Sequence, residues 1–357
     1  MQDTSLTTTW RSPSNIAIIK YWGKHGEQFP DNPSLSITLS EAYTETRVSA
    51  RALNHGEINS LTFLFEGKEH PAFANRIETY LQRLRALVPF LNQYQLRIET
   101  RNSFPHSSGI ASSASAMSAL ALCIADVQSR IDGSTTSAEM FAQHVSMLAR
   151  LGSGSACRSI YGPVSLWGKT PQVPDSTDEF AIPMSNVHRV FQNLRDTILI
   201  LDDSVKVVSS GTGHALMKGH VFRNARIAQA RQNLKMLLPV LHAGDIVTFG
   251  SIAEAEALAL HALMMTSDPA YLLMQPNTLH ILNRIIAFRT SSGLPVYYTL
   301  DAGPNVHILY PETEESKIRP WIQDQLSSFC KNGRMIHDRT GQGPVKIGEI
   351  GETGKTG

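Results

Sequence analysis

The first strongly patterned stretch is nearly all apolar. Residues Asn15, Ile16, Ala17, Ile18, Ile19 and Lys20 read as one buried strand that ends on a lysine. Three stretches, Leu35–Ser40, Thr44–Ala50 and Leu61–Gly67, alternate apolar and polar residues, as half-buried antiparallel strands do. The spacing then changes. From Phe73 to Val88 it is helical, with Ile77, Leu81, Leu84 and Val88 on one face. Another strand, Tyr94–Phe104, leads into a serine- and glycine-rich turn and a helix of small residues, Ala111–Val127. A helix over Ser137–Gly152, a turn over Gly152–Ser159 and a strand over Gly162–Gly168 follow.

The texture shifts near residue 170. The stretch KTPQVPDSTDEF, rich in proline and acidic residues, reads as a linker or surface loop. Beyond it, Asp196–Val205 is a buried strand, and His214–Leu238 is one long helix. More helices run to about Phe288, and Pro295–Leu300 and Asn305–Tyr310 are strands. The pattern gives an α+β chain in two halves, residues 1–188 and 189–340, with a glycine-rich tail over 341–357. That tail is expected to fray, although VKIGEI within it also suits an edge strand.

Composition narrows the function. The 357 residues are 42% hydrophobic and 18% charged, with a net charge of +1, so no basic field argues for nucleic acid. Anion recognition must then come from local clusters. Cys123, Cys157 and Cys330 are widely separated, which points to a reducing, cytoplasmic setting rather than a disulfide framework. The 13 histidines show no HxH or HExxH spacing, so no structural metal is expected. No uninterrupted apolar run reaches about 18 residues, and the first fifteen residues lack a signal-peptide core; no membrane association is expected.

Three loops carry candidate chemistry. In PHSSGIASSASA, Pro105–Ala116, a strand gives way to a small-residue loop and then a helix. Loop amides and a helix N-terminus converge there on one positive spot, which suits a phosphate; a serine-rich helix cap is the plain alternative. In GSGSACRS, Gly152–Ser159, small residues clear space beside Arg158. That guanidinium either forks onto a carboxylate or phosphate, or pairs with a neighbouring acid. In LDAGPN, Asp301 ends an apolar strand, placed as a base or as the cap of its own turn. A fourth junction, VVSSGTGH, adds Ser209 and Ser210 as further phosphate contacts. Taken together, these loops suggest phosphoryl transfer, where catalysis is mostly positioning and charge stabilisation.

On these same residues the chain resembles the diphosphomevalonate decarboxylases of the GHMP kinase superfamily. PSNIAIIKYWGK looks like the family's N-terminal signature and FPHSSGIASSASA like its ATP loop. ARLGSGSACRS, MMTSDP and DAGPN follow in the family's order. The resemblance implies a GHMP-kinase-like α+β fold, with an S5-like N-terminal half, a ferredoxin-like C-terminal half and the site between them. It implies ATP as co-substrate, Mg2+ held through phosphates near Ser113, and a homodimer. Asp301, Lys20 and Arg158 would be catalytic. Asn15, Tyr21, Lys24, Arg76, Ser153 and Ser155 would line the mevalonate diphosphate site. Ser107, Ser108, Gly109, Ser112 and Ser113 would meet the ATP phosphates. Departures are His25-Gly26 after Lys24 and HSSG within the ATP loop. The activity implied is ATP-dependent decarboxylation; a monophosphate-specific decarboxylase and a small-molecule 3-kinase are the rivals.

Overall fold

In the computed structural model, the residues described are 5–105, 110–134, 136–204 and 208–347. The first half is built on β1 (Leu6–Ile19), whose buried end carries the apolar run read from the sequence. A small hairpin, β2 (Lys24–His25) and β3 (Phe29–Pro30), follows it. The two alternating stretches expected as separate strands are one 19-residue strand, β4 (Ser34–Ala52). It survives its polar middle because Asp338, from the far half, accepts the backbone N–H groups of Ser40, Glu41 and Ala42 at 2.9, 2.8 and 2.7 Å. Then come β5 (Leu61–Phe65), β6 (Lys68–Glu69), α1 (Pro71–Leu84), β7 (Tyr94–Asn102), α2 (Ser112–Asp132), α3 (Ala138–Gly152), β8 (Val164–Trp167) and β9 (Ile182–Pro183).

The second half comprises α4 (Arg189–Gln192), β10 (Leu194–Leu199), α5 (Ser210–Leu216), α6 (Arg223–Ala243), α7 (Ile246–Met265), α8 (Pro276–Ser292), β11 (Tyr297–Thr299), β12 (Val306–Pro311), α9 (Glu315–Leu326) and β13 (Met335–Arg339). The chain closes on β14 (Val345–Ile347). Thus the single helix expected over His214–Leu238 is two. It breaks between Met217 and Phe222, where the His220 ring Nδ1 accepts from Phe222 N at 3.1 Å.

The first sheet runs β14-β1-β4-β7-β5-β6, with β8 on the other part of β4 and β9 beyond it. The second runs β11-β12-β10-β13. Strand β14 pairs antiparallel with β1, so part of the tail is the edge strand that its pattern allowed; residues 348–357 lie outside the described residues. One core joins Ile16, Ile18 and Leu35 to Ile198, Leu234 and Phe249, so the two sheets meet through β1, β4 and α6–α7. Helix α7 is long and apolar enough to cross a membrane, but half of that stretch is buried inside the protein. It packs on β11 and α6 as a core helix.

Candidate active site

Lys20 and Asp301 lie 281 positions apart and meet where the halves join. The Lys20 Nζ donates to Asp301 Oδ1 at 2.8 Å. Lys20 is 2% exposed, whereas the Asp301 carboxylate keeps 23% of its surface open. Burial pulls the Lys20 pKa below its usual range, and Asp301 opposes that pull more than any other group. From α7, the His261 Nε2 lies 3.1 Å from the Asp301 carbonyl and fixes the loop after β11. Asn305 of the same loop accepts from Leu201 N and Asp202 N at 2.7 and 3.0 Å, tying it to the end of β10.

Arg158 sits in the short 3-10 turn Gly154–Ile160 and is buried. Its Nη1 donates to Ser34 Oγ at 2.8 Å and its Nε to Ser36 Oγ at 3.1 Å. Its Nε and Nη2 also approach Asn15 Oδ1 at 3.4 and 3.3 Å. Asn15 is itself held by Ser159 Oγ and the Ser155 carbonyl, at 2.8 and 3.1 Å. Among the described residues these hydrogen-bond partners are all neutral, and no acid is bonded to the guanidinium. Burial lowers the Arg158 pKa, and the Asp301 charge offsets only part of that. A buried cation whose bonds all go to neutral groups is a ready seat for an anion.

The serines divide into two sets. Ser115 and Ser118 are packing residues, with hydroxyls 2.7 Å from Thr44 Oγ1 and 2.5 Å from Ser12 Oγ; they seat α2 on β4 and β1. Ser112 and Ser113 instead open the helix beside a cavity of about 110 Å3, also lined by Phe63, Phe73 and Arg76. The Ser113 Oγ lies 3.3 Å from Ser153 Oγ, which lies 3.4 Å from Ser155 Oγ. Ser107, Ser108 and Gly109 lie outside the described residues. No group of three or more His, Cys, Asp or Glu suited to a metal occurs among the described residues. Hydroxyl oxygens are hard donors, so the Ser113–Ser153 pair fits a magnesium ion held mainly by phosphate oxygens and water.

Tyr21 and Lys24 stand on the turn after Lys20. Tyr21 meets Trp167 edge-on at 5.0 Å and stacks on His214 at 4.6 Å. Burial pushes its phenol up to about 12. A Cβ at Gly154 would come 2.7 Å from the Tyr21 hydroxyl, so only glycine lets the 3-10 turn close here. His214 Nδ1 accepts from Gly23 N at 3.0 Å, and burial lowers its pKa to about 3, so the ring stays neutral. His214 thereby docks α5 against this turn. Ser209 and Ser210, at the start of α5, are both exposed. The Ser209 hydroxyl accepts from Thr212 N at 3.1 Å and so caps its own helix.

Lys24 Nζ donates to Gln28 Oε1 at 2.7 Å. Burial lowers its pKa, and the like charge of Arg83 on α1 adds to this. Sequence reasoning chose Arg76 as its companion; the charge felt at Lys24 is that of Arg83, two turns further along α1. Lys24→Ala is expected to raise the KM for the phosphorylated substrate about tenfold and leave kcat nearly unchanged. Steady-state kinetics at saturating ATP checks this, and an unchanged KM removes Lys24 from the substrate site.

Residues 12–179 match the family model described as the diphosphomevalonate decarboxylase-like N-terminal domain. Residues 197–347 match the mevalonate 5-diphosphate decarboxylase C-terminal domain. The chain belongs to the diphosphomevalonate decarboxylase family. Diphosphomevalonate decarboxylase of Saccharomyces cerevisiae is 29% identical over 340 residues, spanning 91% of this chain and 83% of that protein. The crystal structure of the Legionella pneumophila mevalonate diphosphate decarboxylase superposes with a TM-score of 0.76 at 30% identity, covering 93% of this chain and all (100%) of that one. A complex of MDDEF with MVAPP, AMPPCP and magnesium superposes with a TM-score of 0.81 at 26% identity, covering 96% and 99%. The mixed α+β organisation in two halves is therefore the GHMP-kinase-like one of this family.

Proposed function

We propose that the chain decarboxylates (R)-5-diphosphomevalonate at the expense of ATP, giving isopentenyl diphosphate, ADP, phosphate and carbon dioxide. Family membership supports the reaction. The observation that carries it to this site is the buried Arg158, bonded to neutral groups alone among the described residues, beside the Lys20–Asp301 pair.

In this reading Asp301 takes the proton of the C3 hydroxyl as that oxygen attacks the γ-phosphoryl group. The tertiary hydroxyl, a poor leaving group, becomes a phosphate, a good one. Lys20 holds its ammonium against the carboxylate and the phosphoryl oxygens that gain charge. As the C3–oxygen bond breaks, positive charge grows at C3, and the carboxylate held by Arg158 quenches it by losing carbon dioxide. Ser112 and Ser113 contact the nucleotide phosphates, together with Ser107, Ser108 and Gly109. Ser153, Ser155, Tyr21, Lys24 and Arg76 line the substrate side. Magnesium supplies charge neutralisation at the phosphates, near Ser113.

The same reading divides the chain into units 1–188 and 189–340, supported by their separate sheets. It assigns a cytoplasmic setting, supported by three free, buried cysteines. It also assigns a homodimer, supported by exposed Val247, Leu258 and Met265 along α7.

The test measures ADP and carbon dioxide with each mevalonate phosphate. One carbon dioxide per ADP, with the diphosphate preferred, is expected. ADP without carbon dioxide would make the chain a 3-kinase. Equal kcat/KM for mono- and diphosphate would remove the diphosphate assignment.

A further inference from the structure

The ladder between β1 and β4 ends at the pairing of Ile19 with Leu35. The next peptide, that of Lys20, is buried and has left the sheet, so both its polar groups need other partners. Each finds one in the opposite half. The Lys20 N–H donates to Glu256 Oε2 of α7 at 2.8 Å. The Lys20 carbonyl accepts from Arg226 Nη2 of α6 at 2.9 Å and from Asn32 Nδ2 at 3.1 Å. Glu256 is fully buried and Arg226 nearly so. They form a bidentate pair, Nη1 to Oε1 at 2.7 Å and Nη2 to Oε2 at 2.5 Å, and Asn233 Nδ2 adds a third bond to Oε1 at 2.6 Å.

We propose that Glu256 and Arg226 are positioning residues, which grip Lys20 by both backbone groups so that its ammonium is fixed on Asp301. A buried ion pair of this kind is poor support for stability, since packed apolar residues often serve as well. A grip on the backbone of one catalytic lysine accounts for its location. The proposal rests on the function proposed above, and one arm of its test does not.

The charged and titratable groups around Lys20 are Asp301 after β11, Glu256 and His261 on α7, Arg226 on α6, Arg158 in the 3-10 turn, and Tyr21. Burial lowers the Lys20 pKa; Asp301 raises it most, Glu256 raises it further, and Arg158 lowers it. Protonated Lys20 is the working form, so kcat falls as pH rises through its pKa. Glu256→Gln removes one raising charge. The alkaline fall in kcat then begins at lower pH than in the parent.

Two variants test this. In Glu256→Gln, the Lys20 Nζ is followed by 15N NMR without substrate, with its signal assigned by its loss in Lys20→Met. A titration midpoint below the parent's is expected, and an unmoved midpoint overturns the proposal whether or not the chain is a decarboxylase. The paired variant Arg226→Met with Glu256→Gln removes both charges and avoids a lone buried cation. It is expected to melt near the parent and to lose roughly a hundredfold in kcat, because small misplacements of reacting groups have such effects. The KM values for both substrates should stay unchanged. A folded paired variant with parental kcat overturns the proposal.

Discussion

Asp301→Asn should fold as the parent does and lose roughly 10²–10⁴ in kcat, the range typical of a positioned base. The substitution keeps size and shape. The amide oxygen still accepts the Lys20 ammonium, now met at 2.8 Å by the carboxylate. What it loses is the charge and the ability to take a proton. Because the proposed role sets Asp301 against the reacting hydroxyl and not the diphosphate, the KM for either substrate should barely change. A second effect follows from Lys20. Asp301 is the largest influence holding that buried ammonium protonated. Without it the Lys20 pKa falls further, so residual activity should be lost at a lower pH than in the parent. Steady-state ADP release, a pH profile and a thermal melt check all three points. A kcat near the parent's would remove Asp301 from catalysis.

Why the sequence carried some of this and not the rest follows from where the determinants lie. Ile16–Ile19 was legible because a buried strand needs only local apolar side chains, and four successive residues show them. The turn near Gly152–Ser159 was legible for the same reason: backbone space is a local property. The unity of β4 was not, because it depends on Asp338, about three hundred positions away in sequence. The extent of α6 was not either: Pro239 reads as a stop, yet the helix continues to Ala243 and ends on Gly244 in the left-handed region. Glu315–Leu326 and Met335–Arg339, which complete the second half, carried no pattern strong enough to be assigned. At the site, Asp301 and Arg158 stood out as charges beside small residues, and Lys20 as the charge that ends an apolar strand. Their supports did not. Ser34 and Ser36 alternate with Leu35 and Ile37, so period two already puts both hydroxyls on one face; what that face meets is a tertiary fact. Glu256 hid as one of two acids within an apolar helix, and its partners Arg226 and Asn233 lie on a different one.

Arg158→Lys should keep the positive charge and still lose roughly 10²–10³ in the rate of carbon dioxide release, comparable to removing one fixed donor at a developing charge. The guanidinium is held in one plane by Ser34, Ser36 and Asn15, a geometry that a single ammonium cannot reproduce. A lysine would leave acceptors on β1 and β4 unpaired in a buried place, and it would offer the substrate carboxylate a point charge in place of a fork. The two chemical steps should separate as a result. In the proposed mechanism phosphorylation of the C3 hydroxyl relies on Asp301 and Lys20, which keep their own contact at 2.8 Å. Loss of carbon dioxide relies on the carboxylate standing in line with the breaking C3–oxygen bond, which is the task proposed for Arg158. The variant should therefore release more ADP than carbon dioxide and accumulate a 3-phosphorylated product, where the parent gives the two in equal amounts. Quenched single-turnover reactions, with the organic phosphates separated and counted, read that ratio. If ADP and carbon dioxide fall together and no 3-phosphate builds up, Arg158 acts before or during phosphorylation, and its assignment to the decarboxylation step is wrong.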